Sequence, residues 1–203
     1  MTLAADGVVD LYSRRASDFD ADRTKTLFER AWLDAFLEHV PLSGSILDLG
    51  CGSGEPIARY LIQSGRSVTG VDASPGLIAL CRERFADQNW IVADMRDLDL
   101  AQQFDGVVAW HSAIHLTPDD QKRMFDVYRR HVKRGGVLMF TSSFEAGEHV
   151  GEWRGEPLYH GSLSPEAYRD HLTRTGFELL KHRISDPDCG GATVWLARRR
   201  MSD

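Results

Sequence analysis

An α/β fold built on a parallel sheet is predicted by three observations. The stretch Ser45 to Ile62, S-I-L-D-L-G-C-G-S-G-E-P-I-A-R-Y-L-I, runs from an apolar strand through a glycine-rich turn into a helix. A strand, a tight glycine turn and a helix open a βαβ nucleotide-binding unit. Runs of strand type then alternate with helical patterns along the chain, the order that a parallel sheet with crossover helices requires. Finally, Asp72 closes the second strand 22 residues beyond Gly50. An acidic residue about there binds ribose hydroxyls in such folds, because one carboxylate can accept from both the 2′- and 3′-OH.

The 203 residues fit one domain, spanning 1–203, and suffice for a sizeable core. Hydrophobic residues make up 42%, ordinary for a globular chain, and the formal net charge of -6 argues against non-specific nucleic-acid binding. The tight basic run Arg198–Arg200 ends a predicted strand and reads as a solvated terminus. Three cysteines, Cys51, Cys81 and Cys189, form neither a disulfide framework nor a metal-ligand spacing. With no signal-like start and no apolar run of membrane-spanning length, a cytoplasmic setting is expected, with no membrane partner.

The first 44 residues precede the sheet and are expected to form a helical cap. Thr24 to Val40 has a helical pattern, with Leu27, Phe28, Ala31, Trp32, Ala35 and Phe36 on one face, ended by Pro41 and Gly44. Ahead of it, Asp18, Asp20, Asp22, Thr24, Thr26 and Glu29 mimic a calcium loop. The glycine such a loop needs at its sharp turn is Arg23 here, so no metal is expected.

In the glycine turn the spacing is G-x-G-x-G, and Glu55 stands where a dinucleotide fold carries its third glycine. A carboxylate there repels a pyrophosphate, which needs the helix N-terminus, but not a ligand that carries positive groups and no phosphate. Pro56 suits the first turn of the helix. S-V-T-G-V-D is the second strand; Ser74-Pro75 caps the helix that follows, Pro75 to Phe85. N-W-I-V-A-D-M forms the third strand, ending at Asp94, and F-D-G-V-V-A-W-H the fourth, Asp105 to His111. Its end faces the crevice where ligands bind in open α/β sheets, which puts Trp110, His111 and His115 near a site. Thr117-Pro118 opens a helix to about Val132. A fifth strand follows; residues 144–162, rich in aromatics and histidine, are expected to form a lid loop. A helix from Ser164-Pro165 and two closely spaced final strands complete the chain.

I-L-D-L-G-C-G-S-G resembles the first motif of class I S-adenosylmethionine-dependent methyltransferases, and the chain from about Tyr12 to Arg199 is similar to their small stand-alone members. The resemblance implies a three-layer sandwich around a mostly parallel seven-stranded sheet of order 3-2-1-4-5-7-6, the last strand antiparallel. It implies S-adenosylmethionine as cofactor and a small molecule as methyl acceptor, with no nucleic-acid partner.

By the same resemblance, Asp48, Gly50, Cys51, Gly52 and Gly54 of the turn, Asp72 and Ala73 after the second strand, and Asp94 and Met95 after the third bind the cofactor, Asp94 receiving the adenine amino group. Tyr12 matches a tyrosine of a segment that folds over the cofactor, and Tyr12 and Arg15 are candidates for the cofactor's methionine end; Phe19 stands where a second tyrosine is common. Trp110 is a candidate to face the sulfonium. His111 first, and His160 second, are candidate bases for an acceptor that must lose a proton. His115 matches a histidine with a structural role. Two other classes stay open: a cofactor-binding protein without turnover, and an NAD-dependent oxidoreductase.

Overall fold

The computed structural model describes residues 2–202. Three helices come first: α1 (Thr2–Arg14), α2 (Ala16–Asp22) and α3 (Arg30–Leu37). The expected helix over 24–40 is thus confined to its second half. Residues 24–29 form a turn in which Glu29, fully buried, accepts from Arg23 Nη2 at 2.7 Å. A buried carboxylate requires that cation, and their six-residue separation does not suit neighbouring turns of one helix.

The alternating part follows as β1 (Ser45–Leu49), α4 (Ile57–Gln63), β2 (Ser67–Asp72), α5 (Pro75–Arg84), β3 (Asn89–Val92), β4 (Phe104–Ala109), α6 (Pro118–His131) and β5 (Val132–Ser142). Helix α4 starts at Ile57, with Pro56 as its N-cap. Serine and threonine side chains cap the later helices: Ser74 Oγ accepts from Leu77 N, Thr117 Oγ1 from Asp120 N and Ser164 Oγ from Ala167 N. The chain ends with β6 (Gly147–Trp153), β7 (Glu156–Ser162), α7 (Pro165–Arg174), β8 (Phe177–Asp186) and β9 (Ala192–Arg199).

Seven strands form one sheet in the order β3-β2-β1-β4-β5-β9-β8. All neighbours from β3 to β5 pair parallel, and β9 runs antiparallel to both β5 and β8. This is the expected topology, with β8 and β9 as its sixth and seventh strands. Strand pleating sends neighbouring residues to opposite faces. Ile46, Val108 and Val137 join Trp32, Phe36, Leu61 and Ile78 of the α3–α5 layer. Leu47, Val107 and Leu138 join Met124, Phe125, Tyr128 and Leu172 of the α6–α7 layer. The three layers follow from these two cores.

Residues 147–162 are not the expected loop. Strands β6 and β7 form a separate antiparallel hairpin, in register from Gly147↔Ser162 to Trp153↔Glu156. Its two-residue turn has positive φ at both Arg154 (52°) and Gly155 (79°), the geometry that matches strand twist in tight hairpins. Helix α1 packs on β7 and α5, so α1 and the hairpin both lie over the sheet's crevice. Among the described residues no helix is long and apolar enough to cross a membrane.

Candidate active site

The carboxyl ends of β1, β2 and β4 converge on a cavity of about 490 Å3, within the range of small-molecule and cofactor pockets. The turn after β1 makes its floor. Gly50 N and Cys51 N donate to Val71 O at 2.7 and 3.1 Å, tying the turn to β2. Gly50 has φ +71°, and a Cβ there would lie 2.2 Å from Ser112 Cβ; only glycine fits. At Gly52, φ +56°, a Cβ would meet the Phe19 ring at 3.0 Å. Gly50, Cys51 and Gly52 line the cavity. Gly54 does not; it turns toward Phe85, whose ring a Cβ would meet at 2.9 Å, so its place in the motif is one of helix packing.

Two carboxyls sit at the ends of adjacent strands. Asp72 Oδ2 accepts from Gly52 N at 3.0 Å, and Oδ1 from Ser74 N at 2.9 Å. Burial raises its pKa from 3.8 to about 6, against the pull of those two N–H groups. Each oxygen keeps a further lone pair. Asp48, 2% exposed, also lines the cavity, and its Oδ2 is buried with no hydrogen-bond partner. Its pKa rises to about 7, chiefly by burial and then by the Asp72 charge, with Arg23 opposing. A buried carboxyl held at that cost fits a ligand that brings a positive charge.

Beyond β2 and β3 lie Ala73, Asp94 and Met95, all on the cavity wall. Asp94 is already engaged: Oδ1 accepts from Arg96 N at 2.9 Å and Nε at 3.0 Å, and Oδ2 from Nε at 2.9 Å and from Nη2. Burial works to raise its pKa, but Arg96 outweighs it and holds the carboxyl below the usual range. An adenine amino group reaching Asp94 therefore shares it with Arg96.

The fourth side belongs to the turn after β4. Trp110 is buried, with Nε1 unpartnered. His111 has φ +49°; its N–H donates to Thr141 Oγ1 at 2.8 Å. Its ring is exposed to the cavity yet surrounded by protein, and burial, then Arg23 and His160, push its pKa down to about 4. His115 Nδ1 lies 2.9 Å from Tyr159 O. A carbonyl only accepts, so Nδ1 carries the proton and Nε2 accepts from Tyr12 OH at 3.2 Å. Burial pushes His115 down to about 4 as well. His160 of β7 stands between His115 and His149, with ring centroids 4.9 and 4.8 Å away. Its Nδ1 is buried and unpartnered, and burial lowers its pKa.

Apart from Gly54 and Arg15, every residue singled out for a binding or base role in the cofactor site thus lines one cavity. Arg15 does not; it pairs with Glu156 and Asp18. The arginines that do line it are Arg96 and Arg23, the latter being the residue that interrupts the calcium-loop pattern. The acids of that pattern go to other partners: Asp20 to Arg84 and Lys25, Asp18 and Asp22 to Arg154, Glu29 to Arg23. Arg96, Leu158 and the α1 residues Val8 and Val9, also on the wall, carry no motif by which sequence alone finds them.

A glycine turn after β1, acids closing β1 and β2, and a seven-stranded sheet with one antiparallel strand define the class: a Rossmann-like α/β domain of the methyltransferase type. Residues 46–136 match a methyltransferase domain family, and the chain carries a class I, Rossmann-like methyltransferase domain. Malonyl-acyl-carrier-protein O-methyltransferase of Enterobacter lignolyticus is 33% identical over 170 residues, 78% of this chain and 65% of that protein. The protein of the same name from Pectobacterium atrosepticum is 31% identical over 148 residues, 71% of this chain and 51% of that protein. The chain thus spans about half to two thirds of the length of these curated relatives. Among solved structures, the DhpI–SAH complex superposes with a TM-score of 0.75 at 21% identity, covering 97% of each chain; that likeness shows the fold.

Proposed function

We propose that this chain transfers a methyl group from S-adenosylmethionine to a small molecule. The observation that carries the reading is Asp48 Oδ2, buried and without a partner on the wall of the cavity beside the glycine turn. It suits the cofactor's ammonium. Asp72, one strand over, suits the ribose hydroxyls. Both carboxyls, with Glu55 beside them on the wall, oppose the pyrophosphate of NAD.

In this reading Tyr12 and Arg23 close the methionine end, Gly50, Cys51 and Gly52 supply bare or small backbone, Ala73 and Met95 border the adenine, and Asp94 shares its amino group with Arg96. Trp110 presents an aromatic face toward the sulfonium. When bound, the cofactor supplies an activated methyl on sulfur, which leaves as a neutral thioether once the methyl has moved. The chain then has two tasks: to hold the acceptor in line, and to take its proton where it carries one. His160 and His111 are the bases for that proton. The hairpin of β6 and β7 is the lid, residues 1–44 are the cap, and the whole of 1–203 works as one domain in the cytoplasm.

Calorimetry with S-adenosylhomocysteine and NAD tests the reading. Binding of the first, abolished or weakened by Asp48→Asn and Asp72→Ala, is expected. Preferential binding of NAD sinks it. Cofactor binding without transfer of labelled methyl to any acceptor supports a non-catalytic binding protein instead.

A further inference from the structure

Resting on that reading and deepening it to a substrate class, we propose that the methyl acceptor is an uncharged, ring-sized molecule with an O–H or S–H nucleophile, and that carboxylates and phosphates are rejected. Apolar side chains from three parts of the chain line the cavity: Val8 and Val9 of α1, Ile114 and Leu116 after β4, and Leu158 of β7. The imidazoles of His111 and His160 line it as well.

Two arginines line the cavity among the described residues, and both are engaged. Arg23 Nη2 donates to Glu29 Oε1 at 2.7 Å. Arg96 is held by Asp94 and lies 3.5 Å from Asp120. In the proposed reading Arg23 already serves both the fully buried Glu29 and the methionine end of the cofactor, so turning it to a substrate anion would leave one of them without its counter-charge. The carboxyls on this cavity take up the cations beside them: Asp94 and Asp120 hold Arg96, and Glu55 holds Arg59, so the wall offers an incoming anion no free counter-charge. The imidazoles do not supply one. Burial holds His111 and His115 near 4 and lowers His160, so all three are neutral at pH 7.

A polar group of the wall can nevertheless meet the ligand. His160 lines the cavity; its Nδ1 is buried against Gly151 of the hairpin, which leaves Nε2 as the ring nitrogen for a ligand. A neutral imidazole has one donor and one acceptor nitrogen. It can therefore receive the hydrogen of a neutral O–H or S–H but offers a carboxylate no counter-charge.

The test uses the protein loaded with S-adenosylhomocysteine, after its binding has been measured on its own. Dissociation constants are taken by calorimetry at pH 7.5 for two matched pairs: catechol with 3,4-dihydroxybenzoate, and 1-naphthol with 1-hydroxy-2-naphthoate. In parallel, labelled methyl transfer to each is counted. The neutral member of each pair is expected to bind at least about tenfold tighter and to take up label in preference. Leu158→Lys, which adds a cation to the wall, is expected to shrink that gap. Equal or tighter binding of the acids by the wild-type protein overturns the proposal, and so does failure of both neutral probes to bind. If S-adenosylhomocysteine itself does not bind, the methyltransferase reading fails; if it binds and the acids win, only the acceptor class fails.

Discussion

The hydroxyl of Tyr12 donates to Nε2 of His115 at 3.2 Å, joining helix α1 to the turn after β4 across 103 positions of sequence. The same imidazole donates from Nδ1 to Tyr159 O, so one ring ties the cap, the sheet end and the hairpin together. Tyr12 and His115 both line the cavity. Tyr12 is pushed up to about 12 by burial and by the Asp72 charge, and stays a donor throughout the working range.

Tyr12→Phe therefore removes one neutral hydrogen bond and leaves Nε2 unsatisfied. A loss of about 1 kcal/mol in denaturant unfolding is expected, with weaker S-adenosylhomocysteine binding, because the cap is anchored less firmly. A variant of unchanged stability and affinity would mean that the contact holds nothing in place.

Asp48 makes the free protein's stability depend on pH. Its folded pKa is about 7 against an ordinary 3.8, so the folded form keeps a proton that the unfolded chain gives up. That contribution is fully present below about 4 and is lost as pH rises to about 7. Asp72, raised to about 6, acts in the same direction. Asp48→Asn should remove its own share of the slope and stabilise the free protein at pH 7.5. It should also weaken S-adenosylhomocysteine binding by roughly 1.5–3 kcal/mol, the worth of a hydrogen bond to a charged group. Thermal unfolding from pH 4.5 to 8 decides it: an unaltered slope in the variant removes Asp48 as the source.

Much of this site was legible because its parts are short and local. The glycine turn, Asp72 and Asp94 each lie at a strand end, and strand ends can be read from apolar runs bounded by glycine and aspartate. The hairpin was not legible. Its turn is Arg154-Gly155, whereas the familiar signal for two positive-φ residues is Asn-Gly or Asp-Gly. Its strands hold Glu148, His149, Glu152 and His160, which mask the alternation. Arg23 was hidden for another reason. Its role depends on Glu29 being buried under a turn, a tertiary fact without periodicity, and the apolar spacing of 27–36 suggested an unbroken helix over it.

The hairpin's hold on the cap is ionic and exposed. Arg14 and Arg15 both pair with Glu156, at 2.8 and 2.9 Å. Across the turn Arg154 pairs with Asp18 and Asp22, and Trp153 Nε1 donates to Asp22. Such pairs are screened by salt. If α1, α2 and the hairpin are the two halves of a gate, raising salt from about 0.05 to 0.5 M should speed amide exchange in 147–162 while β1, β4 and β5 stay protected. Cofactor and acceptor together should restore protection to the hairpin. Exchange that is insensitive to both salt and ligands would make the hairpin a fixed rim.

In the proposed reaction His111 and His160 are the groups that would take the acceptor's proton. A base must be neutral to take it; burial pushes His111 down to about 4 and lowers His160 from its ordinary value. Their order of preference shifts with the geometry. His111 spends its backbone N–H on Thr141 and reaches the cavity from the sheet side, next to Trp110. His160 approaches from the hairpin with Nδ1 unpartnered, and it is fixed between the rings of His115 and His149. With Nδ1 buried against the hairpin, Nε2 is the nitrogen an incoming O–H can reach, and a ring held this firmly makes His160 the first candidate. With a methylated acceptor in hand, His160→Ala should lower kcat by roughly 10²–10⁴-fold, and His111→Ala by less. The wild-type rate should stay flat down to a pH below the ordinary imidazole value of 6.5, because lowered pKa values keep the base free of its proton there. The depressed His111 and His115 set a matching limit on stability: their contribution is present above the unfolded value and is lost as pH falls through about 4. Near-normal rates in both alanine variants, at every pH from 6 to 9, would mean that holding the reactants in line is enough and that neither imidazole takes the proton.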